Sequence, residues 1–319
     1  MDLKERMKKI PFLQREVRKI RRNKKLTNNF KLFGKIKNKN NLVIILAGYK
    51  EFLWKDFFDR FNNFLPKDGQ YEVCILSSGK YSERLKNIAV KNDWVYLSVK
   101  RNNVCLAQNV AINQFPQAKY IYKIDEDIFL TKGFFENLKK TYKEVNNNSL
   151  YRCGFVSPIL PINGVGYVEI LKKYNLISEY ENKIHEKVKY SADGQSKIVK
   201  DPNAALFFWG KDSAVPSIDK MNNDFQKNKE DYKVAPSLVS IGAVMFERKS
   251  WEKFDMFPVH YYGNDMGADE QKLNDTFNRY KSVIISMHSV VGHFSYGPQT
   301  KVVRKYYEKN PDTFKIQEY

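Results

Sequence analysis

Four short apolar runs alternate with stretches of helical periodicity between residues 41 and 130, and this alternation constrains the fold more than any other feature of the chain. The runs at 42–47, 71–76, 94–99 and 119–124 have the length of strands, and the segments 52–64, 82–91 and 106–115 carry apolar residues at helical spacing. The links between them are short: Ser77-Ser78-Gly79 closes the second run, and Ser82 reads as the N-cap of the helix that follows. Strand and helix alternating through short links predict an α/β fold, a mostly parallel Rossmann-like sheet with helices on both faces. Such a sheet takes its ligand beyond the carboxyl ends of the strands. After Asn148 the alternation weakens. A strand is expected at 155–160, another at 238–246, a helix at 267–280 and a late strand at 282–286, whereas 164–237 gives no clear pattern.

The organisation expected is a basic arm over 1–40, one half over 41–150, a second half over 151–300 and a basic, aromatic tail over 301–319. Of a formal charge of +19, residues 1–40 carry +12, which leaves +7 for the other 279 residues. Within the arm Leu3, Met7, Ile10, Leu13, Val17 and Ile20 recur at spacings of three and four, interrupted by Pro11. A basic amphipathic segment of this kind is suited to an anionic membrane surface, where each Lys or Arg contributes on the order of 1 kcal/mol. A solvated tail is the plainer alternative. Nucleic acid is not expected as a partner, since the arm offers few stacking aromatics and no recognisable module. Cys74, Cys105 and Cys153 are widely spaced in apolar surroundings without a CxxC pair, which speaks for a reducing, cytoplasmic setting. No stretch approaches the roughly 20 apolar residues of a spanning helix, and the charged start has no apolar signal core. The chain has no GxxxxGK[ST] loop, GxGxxG fingerprint or GxSxG elbow, which excludes the commonest nucleotide-binding and hydrolase motifs.

The chemistry concentrates in three places. At Tyr120-Ile121-Tyr122-Lys123-Ile124-Asp125-Glu126-Asp127 an apolar strand runs directly into three acids. Period-two geometry puts Asp125 and Asp127 on one side, about 7 Å apart, with Glu126 turned the other way. Carboxylates at the end of a buried strand repel one another unless a cation neutralises them, and hard oxygen ligands suit Mg2+ or Mn2+. An acidic loop tip capping the next helix is the alternative.

This segment resembles the Asp-x-Asp motif of GT-A glycosyltransferases, and the chain is similar to the large family two of those enzymes. The stretch from Arg101 to Asn109 resembles the family's segment ahead of the motif, with Gln108 standing where the family often has Arg. The resemblance implies a UDP-sugar or related nucleotide-sugar donor held by Ala47, Tyr49, Ser78, Arg101, Asn109, Asp125 and Glu126, and a divalent metal on Asp125 and Asp127.

The second place is Gly267-Ala268-Asp269-Glu270-Gln271-Lys272-Leu273, which follows a strand, a short helix and a Phe-Pro turn. In inverting relatives one carboxylate of such a pair deprotonates the acceptor. The register with Leu273 implies Glu270, while the order Asp-Glu keeps Asp269 in contention. Acids in a first helical turn also complement the helix dipole without any catalytic role. The third is Val291-Gly292-His293-Phe294, which looks like the late segment that completes the metal site in several GT-A enzymes. It implies His293 as a ligand, with His288 as the competing histidine. The reading is thus a metal-dependent, inverting transferase acting on a hydroxyl of a glycan or glycolipid, as in surface polysaccharide synthesis. It would be cytoplasmic and peripheral to the inner membrane face. A metal-dependent nuclease or nucleic-acid protein, a sugar nucleotidyltransferase and an inactive scaffold are the alternatives.

Overall fold

The structure is a computed structural model that describes residues 17, 29–148, 150–191 and 195–318. The amphipathic pattern of the arm therefore lies almost wholly outside the described residues. A nine-stranded sheet runs through the molecule in the order β1-β4-β3-β2-β5-β9-β7-β10-β8. Its strands are β1 (Phe30–Phe33), β2 (Asn41–Leu46), β3 (Tyr71–Ser78), β4 (Val95–Val99), β5 (Tyr120–Asp125), β7 (Cys153–Ile159), β8 (Tyr232–Val234), β9 (Ala243–Glu247) and β10 (Ser282–Val290). Six of them, β2, β3, β4, β5, β7 and β10, run the same way, while β1, β8 and β9 run against them. A separate two-stranded ribbon pairs β6 (Ile128–Phe129) with β11 (Gly292–His293).

Side-chain parity divides the strands between two cores. Val43, Ile45, Val73 and Ile75 face α1 (Trp54–Phe64), α2 (Glu83–Lys91) and α4 (Phe134–Asn148). Leu42, Ile44, Cys74 and Leu76 belong to the opposite core with α3 (Val104–Gln114). That face also carries α5 (Gly166–Lys173), α6 (Ile177–Ile184), α7 (Lys197–Lys200), α8 (Pro202–Phe208), α9 (Ile218–Phe225) and α11 (Ala268–Tyr280), the last following α10 (Arg248–Lys253). The expected α/β architecture, with helices on both faces of a mostly same-direction sheet, is what the chain adopts. The three cysteines are buried and unpaired. Among the described residues no helix is long and apolar enough to cross a membrane.

Three segments differ from expectation. Residues 30–33, expected within the arm, form the edge strand β1, whose Phe30 pairs with Val99 and Phe33 with Tyr96. Among the described residues of 164–237 the chain forms the short helices α5 to α9 and the short strand β8. The stretch 301–319 is packed through α12 (Thr300–Lys309) and a 3-10 turn, Pro311–Phe314, and both Val303 and Phe314 are fully buried. The Arg60 guanidinium, 1% exposed, holds this segment down. It donates to the carbonyls of Phe314 (2.9 Å), Lys315 (2.7 Å) and Leu130 (3.0 Å), and in a fork to both oxygens of Asp219 (2.9 and 2.8 Å).

Removing one partner of a buried ion pair strands the other. Arg60→Met is therefore expected to destabilise the fold by about 3–5 kcal/mol in urea denaturation, whereas Lys55→Met, which breaks an exposed pair with Asp59, should change it by less than about 1 kcal/mol.

Candidate active site

The three consecutive acids divide their work: Asp125 ends β5, and Glu126 and Asp127 form the turn into β6. Glu126 points away from its neighbours and is buried. Its carboxylate accepts the backbone N–H groups of Gly48 (3.0 Å), Tyr49 (2.8 Å) and Lys50 (2.9 Å), and the indole N–H of Trp54 (2.5 Å). Four donors occupy its lone pairs, so Glu126 positions the loop between β2 and α1 and has no oxygen left for a donor substrate; the expectation of direct cofactor contact is corrected here. Gly48 takes φ +148°, a region that favours glycine, and so lets three successive N–H groups turn toward one carboxylate.

Asp125 is joined to a residue that sequence reasoning passed over. The Lys123 ammonium lies 2.7 Å from both carboxylate oxygens, with hydrogen-bond geometry to Oδ2 alone, and donates to the carbonyl of Ile241 at 2.9 Å. Burial works to lower the Lys123 pKa, but Asp125, Asp269 and Glu270 outweigh it and hold the ammonium above its ordinary value. Burial pushes Asp125 up to about 6, Lys123 pulls against it, and the nearby Asp127 adds to the rise. The signal for Lys123 was present in the sequence as a lone lysine inside a buried strand, two residues before Asp125 and therefore on the same face.

Asp127 faces a different set. Its Oδ2 contacts the Lys50 ammonium and lies 3.6 Å from Nε2 of His293. Burial raises the Asp127 pKa, yet Lys50 and His293 prevail and hold the carboxyl well below the usual range, so it is ionised. The ribbon brings His293 here: His293 pairs with Ile128, and Phe294 N–H donates to the Asp127 carbonyl at 2.9 Å. Gly292 is needed for that approach, because a Cβ would stand 2.8 Å from the Trp209 ring and 3.1 Å from Phe129. Nδ1 of His293 faces the Ile162 carbonyl at 2.9 Å, which orients the ring so that Nε2 is turned to Asp127. His288 sits elsewhere, against the Asn228 carbonyl (3.1 Å) and Asp231 (3.6 Å).

Among the described residues no group of three or more His, Cys, Asp or Glu side chains is set for a metal. A buried carboxylate beside an oriented imidazole nitrogen nevertheless offers the donor types a divalent ion takes, and Asp127 with His293 fits one. Asp125 keeps one oxygen, Oδ1, without a hydrogen-bond partner, while Oδ2 is held by Lys123.

Near Lys123, both oxygens of the buried Asp269 are taken up: Oδ2 accepts from Gln108 at 2.6 Å and Oδ1 from the Glu270 N–H at 3.0 Å. Glu270 Oε2 accepts the Ile241 N–H at 3.1 Å, and burial raises its pKa above the usual glutamate value. Tyr296, edge-on to the His293 ring with centroids 4.8 Å apart, lies between the two sides. Its phenol is pushed up first by burial and then by Glu270, with Asp127 adding to the effect.

Of the other expected contacts, Ala47 is buried at the end of β2, and the Tyr49 hydroxyl donates to the Ser78 carbonyl at 2.8 Å. Ser78 Oγ accepts the Asn103 N–H at 2.8 Å. Arg101 donates to the carbonyls of His260 and, at 2.9 Å, Tyr261. Asn109 does not belong to this set. It is fully buried, donating to the Phe257 carbonyl (2.9 Å) and accepting from Trp251 (3.1 Å) and Phe257 N–H (3.0 Å), which leaves nothing to offer a ligand.

No family model and no curated protein matches the chain. A solved structure of GalNAc-T7 with UDP, GalNAc and Mn2+ superposes with a TM-score of 0.48 at 12% identity, over 88% of this chain and 52% of that one. The chain thus spans about half the length of that protein's chain.

Glu126→Gln replaces one acceptor oxygen of the clamp with a donor. It is expected to lower stability by about 2 kcal/mol and to raise amide hydrogen exchange at residues 48–50; unchanged exchange there would remove the positioning role.

Proposed function

We propose that the chain is a glycosyltransferase of the GT-A type. It would move a sugar from a nucleotide diphosphate, most simply a UDP-sugar, to a hydroxyl of a glycan or glycolipid. The observation that carries this reading is the meeting of Asp127, His293 and Lys50 beyond the carboxyl end of β5, with Glu270 facing them across Tyr296. A nucleoside diphosphate leaving group needs positive charge, and ligands in open α/β sheets lie beyond the strand ends.

Asp127 and His293 would hold a divalent ion, Mn2+ or Mg2+, which when bound supplies Lewis-acid charge to the departing diphosphate. The protein's own groups do the rest. Lys123 keeps Asp125 ionised and fixed. The Glu126 clamp holds the loop from Gly48 to Lys50 against the donor side. Glu270 is the acceptor's base: it sits in the first turn of α11, and its raised pKa improves proton acceptance. Attack from that side, opposite the leaving group, gives inversion. Asp269, tied to Gln108, braces the helix.

The acceptor side is bordered by the loop over 258–267. Asp265 anchors it by accepting from Asn103 (2.5 Å) and from the His260 N–H (3.0 Å). The loop leaves Tyr261 and Tyr262 about 84% and 83% exposed, with their rings perpendicular. Exposed aromatic faces of this kind suit sugar rings. Residues 1–28, which precede the edge strand, carry most of the arm's positive charge and would hold the enzyme to an anionic membrane surface.

Glu270→Gln is expected to lower kcat by roughly 10²–10⁴-fold while UDP affinity stays within about twofold. Because the Glu270 carboxyl titrates above its ordinary value, wild-type kcat/KM should fall as the pH drops through that raised pKa, and the variant should lose this acid limb. Full activity in Glu270→Gln together with loss in Asp269→Asn would transfer the role to Asp269.

The second test concerns the arm. Deleting 1–28 while keeping Phe30–Phe33 should preserve the melting transition and weaken sedimentation with phosphatidylglycerol vesicles, and undiminished sedimentation would end the membrane assignment.

A further inference from the structure

Two lysines neutralise the two aspartates of the centre, and they are built differently. Lys123 is fixed: its side chain is 4% exposed, it stands on a central strand, and its ammonium is shared between Asp125 and the Ile241 carbonyl. Lys50 is fixed only at its backbone. Its N–H is held by Glu126 at 2.9 Å, while its side chain is 25% exposed and reaches over to Oδ2 of Asp127. That is the oxygen that faces Nε2 of His293. The ammonium therefore sits on the carboxylate oxygen that a divalent ion would need, at the point where it would meet its imidazole ligand.

The charge count sharpens this. Asp127 is already matched by the Lys50 ammonium, and an ion entering beside that ammonium would be repelled by it at short range in a buried, weakly screened site, while Asp269 and Glu270 act on Lys123 further along. Only Lys50 has the exposure and the free side-chain length to leave. A multiply charged diphosphate supplies the anion that would draw it off.

We propose that Lys50 is the resident counter-ion of Asp127 and makes divalent-ion binding conditional on the donor: the diphosphate takes the ammonium away from the carboxylate and so opens Asp127 and His293 to the ion. This rests on the reading of the site as a nucleotide diphosphate site. The consequence is coupling between the two ligands. Manganese alone binds weakly, and UDP and manganese strengthen one another by the same factor, as linkage requires. Lys50 is here a positioning and gating residue rather than a group that touches the reacting atoms.

Titration calorimetry on the full chain tests it, with MnCl2 alone, UDP alone and each in the presence of the other. In the wild type, saturating UDP should tighten manganese binding about tenfold or more. In Lys50→Met, manganese alone should bind about tenfold tighter than to the wild type, with the UDP effect reduced, and adding Asp127→Asn should remove that gain. Lys50→Arg keeps the charge and should retain the weak binding, which controls for a general effect of substitution. Manganese binding to Lys50→Met no tighter than to the wild type overturns the counter-ion role. If UDP and manganese still reinforce one another in that variant, the donor-site reading survives its loss. A manganese gain in Lys50→Met with no binding of UDP to any variant overturns the donor-site reading instead, and the conditional step falls with it.

Discussion

A buried carboxylate with four donors around it organises this site. Glu126 would be costly where it stands if it were not hydrogen-bonded on every side. Its partners belong to a loop some seventy-five residues earlier in the chain, so one side chain at the end of β5 fixes the conformation at the end of β2. Tyr49 is thereby aimed at Ser78 and Asn102, and Lys50 at Asp127. Glu126 and Asp127 form the turn that follows β5, so this one turn holds the loop through Glu126 and sets Asp125 and Asp127 beside it. The arrangement needs an acid at the middle position as much as at the outer two.

The second constraint is electrostatic. Asp125, Asp127, Asp269 and Glu270 converge on a region that contains Lys123 and Lys50, and most of these groups are buried. Such a cluster is tolerable because each charge has a stated partner: Asp125 has Lys123, Asp127 has Lys50, and Asp269 has the Gln108 amide. Glu270 is the exception. It holds one backbone N–H and Ser240, and burial raises its pKa. Burial raises Asp125 as well, but Asp125 has the Lys123 ammonium in contact, whereas Glu270 is bonded by neutral donors alone, which is the ground on which it is proposed as the base.

The strands of the first half were legible because each is a buried run whose parity is set by two apolar cores, and Asp127 and His293, which the fold brings within 3.6 Å, stood out as an acid after a buried strand and a late histidine. The run of helices between β7 and β8 was not legible for a reason visible in their lengths: α7 has four residues and α8 seven, too short to establish a period. The C-terminal stretch looked like a charged tail because its anchors lie elsewhere in the chain. Phe314 is buried by Trp209, Phe129 and Tyr307, and its carbonyl is held by Arg60. Asn109 was misread because a buried asparagine satisfied by the tryptophan and the Phe-Pro turn of a later segment cannot be told from a ligand by sequence position. Lys50 was missed for a similar reason: nothing near residue 50 hints that Glu126 turns its backbone toward Asp127.

Two departures from the glycosyltransferase pattern, Gln108 in place of arginine and the order Asp269-Glu270, meet in a single contact. A guanidinium at 108 would bring a second fixed cation beside Lys123, against Asp125, Asp269 and Glu270. The amide instead satisfies one oxygen of Asp269 at 2.6 Å without adding charge, and the helical N–H of Glu270 satisfies the other. Asp269 is bonded by these two neutral donors, and the Lys123 ammonium, in contact with Asp125, acts on Asp269 and Glu270 as well. Glu270, one helical step on, is turned instead toward Ser240 and Ile241 and the Tyr296 ring. The order Asp269-Glu270 thus sets Asp269 against α3 through Gln108 and Glu270 against the Ile241 N–H.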